Sequence, residues 1–177
     1  MKFSFFGVSC LAVKVNRCWS EFQPEQYPGL RKRLLDTMTA YQGPKIVLTR
    51  ICVAVSGLVI HCVPGHWPEP ITDIISMFQP QLTGPNPNYR SLTLLLELLT
   101  VIPEEFSTLL LTSNRRATVR NAFSSSLPFC LKLWRITGKK AQIQKQLFRH
   151  ASVFKHGFNL VFLWTVVILL LIGCCSV

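Results

Sequence analysis

Acidic residues are scarce in this chain, and its last third contains none. Of 177 residues only 8 are Asp or Glu, against 19 Lys or Arg, which gives a formal net charge of +11. All 8 acids lie in residues 1–121, together with 12 basic residues, whereas residues 122–177 carry 7 basic residues. The length allows one domain with a real core, and the composition divides the chain into two different parts.

Nucleic-acid-binding modules and catalytic motifs are also missing. The basic residues cluster with no recognisable DNA- or RNA-binding module, so we expect no nucleic-acid partner. The chain has no GxSxG, P-loop or GxGxxG motif. Glu104 and Glu105 are adjacent, and on a helix their carboxylates would point about 100° apart instead of converging. We interpret them as a solvated acidic turn and predict that the protein is not an enzyme.

Cysteines at disulfide or metal-binding spacing are absent as well. No CxxC pair occurs, and His61, Cys62 and His66 fit no usual zinc spacing, so structural histidines are favoured over ligands. Most cysteines lie in apolar stretches, where a reduced cysteine behaves as a small hydrophobe. We expect a reducing compartment, no metal and no cofactor. The seven cysteines are Cys10, Cys18, Cys52, Cys62, Cys130, Cys174 and Cys175.

The N-terminal residues imitate a secretory signal without matching one well. A lysine precedes an apolar run, as in a signal peptide. The run is short of leucine, however, and Lys14 and Arg17 follow directly at helical spacing. Secretion is therefore disfavoured.

The stretch at residues 44–64 is the most informative internal segment. It is almost entirely apolar, yet Arg50 lies inside it and only about 15 residues separate its apolar ends, which is short for a membrane span. A β-strand would be far shorter than this run. We predict a central helix with neighbours on several sides. Its broad apolar face consists of Val47, Ile51, Ala54, Val55, Leu58 and Cys62.

A repeated pattern surrounds this central helix. An amphipathic helix, a turn and a nearly all-apolar helix occur twice, and Trp19 and Trp67, each followed within two residues by an acid, lie 48 positions apart. A period of about 40–47 residues with two helices is typical of HEAT-type solenoids, whose inner helices touch both neighbouring repeats. An ordinary helical bundle is the alternative. The predicted helices cover residues 24–41, 45–63, 68–79 and 89–102.

Prolines set the predicted helix boundaries. Pro28 and Gly29 predict that the first amphipathic helix begins irregularly or late. Residues 79–88, which include Pro80, are predicted to form a loop, and Pro103 is predicted to close the last apolar helix.

The residues also resemble a known family. The runs KIVLTRICVA and LLLELLTVIPEEF, within a similarity over about residues 5–121, resemble the importin-β (karyopherin-β) superfamily of nuclear transport receptors. The resemblance implies an all-α HEAT-repeat solenoid fragment built from antiparallel helix pairs. It also implies Ran-dependent protein import into the nucleus, the Ran GTPase and cargo proteins as partners, nucleoporins as further candidate partners, and shuttling between nucleus and cytoplasm.

Members of the superfamily bind Ran-GTP largely through inner helices of their N-terminal repeats. The inner helices here would lie at about residues 6–18, 45–63 and 89–102. The charged residues on them that would face the concave side, and contact protein partners there, are Arg17, Arg50 and Glu97.

The C-terminal part is compositionally foreign to this pattern. We divide it into a basic non-homologous linker at residues 122–157 and an apolar segment at 158–177, predicted to be helical, which has no charged residue. The segment is long enough to cross a bilayer, and basic residues precede it, so a tail-anchored protein with a cytosolic HEAT docking face is the alternative function. A helix covering the solenoid end, or a segment from alternative splicing or a gene-model error, also fits. Cys174 and Cys175 are either palmitoylated or plain terminal residues.

Overall fold

The computed structural model describes residues 5–83 and 88–126, and all regular secondary structure in these two ranges is helical. The described α-helices are α1 (Phe5–Arg17), α2 (Tyr27–Ala40), α3 (Lys45–Cys62), α4 (Pro70–Thr83), α5 (Tyr89–Thr108) and α6 (Ser113–Ser125). Two short 3₁₀ turns, Trp19–Glu21 and Pro24–Gln26, connect α1 to α2. The second turn confirms that the first amphipathic helix begins late.

The helices form two layers. α1, α3 and α5 lie side by side with α3 in the middle, while α2 packs on α3 and α4 packs on α5. The chain thus contains two stacked helix pairs, α2–α3 and α4–α5, preceded by α1 and followed by α6. This is the arrangement of a HEAT-type solenoid, and it confirms the all-α prediction. The predicted apolar helix at 158–177, and the predicted linker beyond residue 126, lie outside the described residues.

Helix α3 is the centre of the core. Every residue from 51 to 60 is buried, because α1, α2 and α5 pack against three sides of the helix. By length and composition the helix would also suit a membrane span, but 67% of it is buried inside the fold. Its apolar surface is therefore covered by protein, as predicted from the Arg50 charge and the short apolar run.

Helices α3 and α5 run parallel in a fixed register. Thr49 of α3 donates a 2.7 Å hydrogen bond to Glu97 of α5, which lies 48 positions later in the chain. The same separation relates Trp19 to Trp67, the pair that indicated the repeat. Equivalent positions of successive inner helices are thus neighbours in space.

Helix α4 extends beyond the boundary that Pro80 predicted. The helix runs to Thr83 with Pro80 inside it, so the prediction of a loop from residue 79 is wrong up to residue 83. A proline within a helix removes one backbone hydrogen bond and crowds the preceding turn. Leu82, only 3% exposed, continues the apolar stripe of α4 into the core and offsets that loss.

Helix α5 likewise continues through a proline. It was predicted to close at Pro103 but ends at Thr108. Phe106 is 3% exposed, and its ring lies edge-on to Phe123 of α6 with centroids 6.1 Å apart. The extra turn therefore supplies the contact between α5 and α6, which a helix ending at residue 102 would lack.

Candidate protein-binding surface on the inner helices

One side of α3 remains open at its N-terminal end, before the buried residues 51–60 begin. With α1 and α5 beside it and α2 behind it, the exposed residues of α3 form a surface on the fourth side, which we call the inner face. It consists of Lys45, Ile46 and Arg50, and the Ile46 side chain is 61% exposed. An exposed isoleucine between two cations is suited to contact with another protein.

Arg50 is one of the predicted contact residues, and it lies on the inner face. Its guanidinium lies 5.9 Å from the centroid of the Phe5 ring of α1, in a cation–π arrangement. The same charge acts on Glu105 of α5 and lowers the pKa of that carboxyl, partly opposing the effect of burial. Arg50 is thus oriented by groups from both neighbouring helices.

Glu97, the second predicted residue, is buried with 7% exposure. Its carboxylate accepts a 2.7 Å hydrogen bond from Thr49 and lies 3.3 Å from the ammonium group of Lys45. The Lys45 side chain is 70% exposed. The Glu97 carboxylate is therefore paired with two groups of α3, Thr49 and Lys45. The charge that reaches the surface at this point is the positive charge of Lys45.

Arg17, the third predicted residue, is exposed at the end of α1. The buried face of α1 consists of Val8, Ala12 and Val15, and Arg17 lies on the opposite side of the helix from it. Among the described residues, Arg17 forms no ion pair with Glu97, and Arg50 does not either. The structure places the three predicted residues on three different helices without joining them in one cluster.

A bridge that the sequence did not indicate joins the first and third inner helices, α1 and α5. Asn16 of α1 donates a 2.7 Å hydrogen bond to Glu105 of α5, across α3. The bridge passes over Gly57, where an added Cβ would lie 1.7 Å from the Asn16 side-chain oxygen. The sequence feature that could have indicated this bridge is Gly57, a single glycine in the middle of a long apolar helix.

The two adjacent glutamates differ from the predicted solvated turn. Both lie within α5, and Glu105 is half-buried whereas Glu104 is exposed. Burial raises the pKa of Glu105 above its usual value, while Arg50 and the hydrogen bond from Asn16 oppose that shift. Although Glu104 is exposed as a whole residue, partial desolvation of its carboxyl raises its pKa, and the Glu97 carboxyl adds to the effect.

The C-terminal end of α3 carries a second cluster that the sequence did not indicate. The His61 ring stacks on Trp19 with centroids 5.0 Å apart, and burial lowers the pKa of His61. Arg115 of α6 donates hydrogen bonds of 2.6 and 2.8 Å to the carbonyls of Ile60 and His61. These carbonyls belong to the last turn of α3, where a cation is favoured by the helix dipole.

The histidines near this end have packing roles in the structure. His61 faces Trp19, whereas the His66 ring lies edge-on to Tyr27 at 4.8 Å. Cys62 is buried, and burial raises its pKa to about 11. Within residues 5–83 and 88–126, no three His, Cys, Asp or Glu side chains converge as metal ligands would.

The family described as Exportin 1-like protein (Xpo1) matches residues 44–162, which is more than half of the chain. The chain belongs to the Exportin 1-like family. Proteins of this kind are nuclear transport receptors, in agreement with the superfamily that the sequence resembled. The match overlaps residues 122–157, whose assignment as a non-homologous linker stays a prediction.

Curated relatives are consistent with the family assignment. The chain is 40% identical over 121 residues to Importin-13 of Homo sapiens and of Bos taurus, covering 68% of this chain. It is 33% identical over 112 residues to Importin-13 homolog A of Dictyostelium discoideum, covering 58% of this chain. The matched part spans only 12% of the length of the mammalian relatives and 10% of the Dictyostelium protein.

Proposed function

We propose that this chain acts as a protein-binding part of a Ran-dependent nuclear import receptor. The observation that supports the proposal is the pair of cations on the inner face, Lys45 and Arg50, each oriented by a neighbouring helix. Ran and cargo proteins would be the partners, and nucleoporins are further candidates. The protein would shuttle between nucleus and cytoplasm, as expected for a receptor of this family.

The three predicted contact residues have different roles in this proposal. Arg50 and Arg17 are exposed, so they would touch a partner directly. Glu97 is buried, and its role would be to hold Lys45 at the inner face. Preorganised charges lose less side-chain entropy on binding than free ones do, which favours Lys45 and Arg50 as contact residues.

A pulldown with purified Ran tests the proposal. The full chain should retain Ran loaded with a non-hydrolysable GTP analogue more strongly than Ran loaded with GDP. Arg50→Glu should weaken retention, because reversing a charge at a contact opposes an acidic partner. Arg120→Glu, an exposed charge on α6, is the matched control. Equal retention of both Ran forms, or none, would mean that this chain lacks the activity.

A further inference from the structure

Helix α5 carries a polar stripe beside the inner face. The stripe consists of Thr93, Glu97, Thr100 and Glu104. All remaining residues of α5 between 92 and 104 are apolar, and the spacings of four, three and four residues place the polar side chains along one side of the helix. Glu97 locates that side, because its carboxylate is bound to Thr49 and Lys45 of α3. The stripe therefore borders the open side of α3.

Stacking of further repeats would leave this surface open. Helix α3 already lies between two inner helices, α1 and α5, and α2 packs behind it, so a further repeat would not reach its remaining side. A further inner helix after α5 would pack on the side of α5 that faces away from α3. The inner face and the α5 stripe thus stay accessible in a longer solenoid, unlike the two ends of the stack.

Glu104 is the acid of the α5 stripe that reaches solvent. Glu97 is 7% exposed and paired with α3, whereas Glu104, two turns further along α5, is exposed. Among the described residues no Lys, Arg or His lies within ion-pair distance of the Glu104 carboxylate. Partial desolvation and the Glu97 carboxyl raise the pKa of Glu104, so a cation brought to this point would relieve an unfavourable concentration of negative charge.

The Asn16–Glu105 bridge closes the surface at this end. Gly57 lies seven residues after Arg50, and hence on the same side of α3, and the Asn16 side chain covers it. The Glu105 carboxylate accepts the hydrogen bond from Asn16 and is half-buried. Glu104 is therefore the carboxylate that this end of the surface offers to a partner.

Positive and negative charge are separated along the helix axes. The hydrogen bond between α3 and α5 fixes a register of 48 positions, so Arg50 is level with residue 98. Glu104 lies six residues beyond that level, which is about 9 Å along the axis. Since packed helices lie about 8–10 Å apart, the backbones of Arg50 and Glu104 are about 12–13 Å apart. The open surface thus has a positive end, at Lys45 and Arg50, and a negative end at Glu104.

We propose that the inner face and Glu104 together bind a bipolar protein segment, which carries a carboxylate and a cation about two helical turns apart. The carboxylate pairs with Arg50, the cation pairs with Glu104, and an apolar side chain beside the carboxylate contacts Ile46. A partner with charges of one sign is attracted at one end and repelled at the other. Glu104 therefore determines specificity. The proposal rests on the proposed function, since it assigns the chemistry of the partner that the inner face takes.

Fluorescence anisotropy with the full chain and three labelled helical peptides tests the proposal. The bipolar peptide carries an aspartate and, seven residues later, a lysine, with a leucine beside the aspartate. The acidic peptide has aspartate at both positions, and the basic peptide has lysine at both. We expect the wild-type chain to bind the bipolar peptide about threefold to tenfold more tightly than either of the others, as expected when one exposed ion pair replaces one repulsion.

Charge substitutions should switch this preference. Glu104→Lys should make the acidic peptide the best ligand, and Arg50→Glu should make the basic peptide the best ligand. The variant with both substitutions should again prefer the bipolar peptide, because the two charges have exchanged places and the peptide can bind in the opposite direction. Arg120→Glu, at an exposed position of α6, is the matched control and should leave the wild-type order unchanged. Circular dichroism verifies that each variant folds.

Three outcomes would overturn the proposal. The first is that the acidic peptide binds the wild-type chain as tightly as the bipolar one. The second is an order of affinities that Glu104→Lys does not change, and the third is that no peptide binds. Retention of Ran is measured separately. Peptides that switch as expected while the wild-type chain retains no Ran would refute the proposed function alone, and retention of Ran without the switch would refute this proposal alone.

Discussion

Asn16 of α1 and Glu105 of α5 are joined by a 2.7 Å hydrogen bond that crosses the middle helix of the inner layer at Gly57. The two helices belong to different repeats and are separated by α3. Because the bond passes over α3, the spacing of three consecutive inner helices depends on one buried position of α3, Gly57, that has no side chain. The inner face next to the bridge, including Arg50, is held by the same three helices.

Substitution of Gly57 by alanine should destabilise the protein. Alanine is the better helix former by about 1 kcal/mol, but its Cβ would displace Asn16, and the cost of overpacking together with the lost hydrogen bond is larger. We expect a net loss of about 1–3 kcal/mol in the free energy of unfolding, measured by urea denaturation. Gly29→Ala, in open space on α2, should instead stabilise by about 0.5–1 kcal/mol. A gain at both positions would refute the bridge.

His61 should make stability fall in mild acid. Its pKa is lowered in the folded state by burial, so the unfolded chain binds the proton more readily. The free energy of unfolding should therefore decrease as pH falls below about 6.5, the usual value for histidine, and continue to decrease down to the folded pKa. His61→Phe keeps the stack on Trp19 and should flatten this part of the pH profile. His66→Phe, at an exposed position, is the control and should leave the decrease of the unfolding free energy with falling pH unchanged.

Arg115 should determine how firmly α6 is attached. Replacement by methionine keeps most of the apolar stem but removes both hydrogen bonds to the last turn of α3. The free energy of unfolding should fall by about 2 kcal/mol, since hydrogen bonds to charged groups contribute about 1.5–3 kcal/mol to stability. Hydrogen exchange should accelerate at the amides of α6 and the end of α3. Arg120→Met, on the exposed side of α6, should leave these rates unchanged.

The cysteines should react with thiol reagents in a fixed order. Cys10 is exposed and Cys18 is half-exposed, whereas Cys52 and Cys62 are buried. Burial raises the pKa of Cys52 to about 12, which suppresses the reactive thiolate further. Among these four cysteines of the native protein, alkylation followed by peptide mapping should modify Cys10 first and Cys52 only after addition of denaturant. Early modification of Cys52 would mean that α3 is not enclosed.

Apolar periodicity was sufficient to predict the layers of this fold. The central position of α3 followed from its apolar run, and the repeat followed from the spacing of Trp19 and Trp67. Helix ends at Pro80 and Pro103 were predicted wrongly because local proline rules ignore packing. Leu82 and Phe106 are both buried in the core, and their contacts with residues distant in the sequence stabilise an extra helical turn in α4 and in α5.

The charged sites were harder to predict for a similar reason. Glu97 is the one acid within residues 91–102 of α5, and its sequence context cannot distinguish a surface residue from one that is paired with Thr49 and Lys45 of another helix. The Asn16–Glu105 bond joins residues 89 positions apart and depends on the packing of three helices. Arg17, Arg50 and Glu97 as partner contacts stay predictions.

The constant offset of 48 positions between α3 and α5 restricts how chains of this kind can change in length. Inserting or deleting one residue inside either helix would rotate all the following side chains by about 100°, so that partners such as Thr49 and Glu97 would no longer meet. A residue added in a turn between helices leaves the side chains within each helix in the same relative orientation, so pairs such as Thr49 and Glu97 can still meet. Length differences among related chains should therefore accumulate in the turns, while the inner helices keep their residue count.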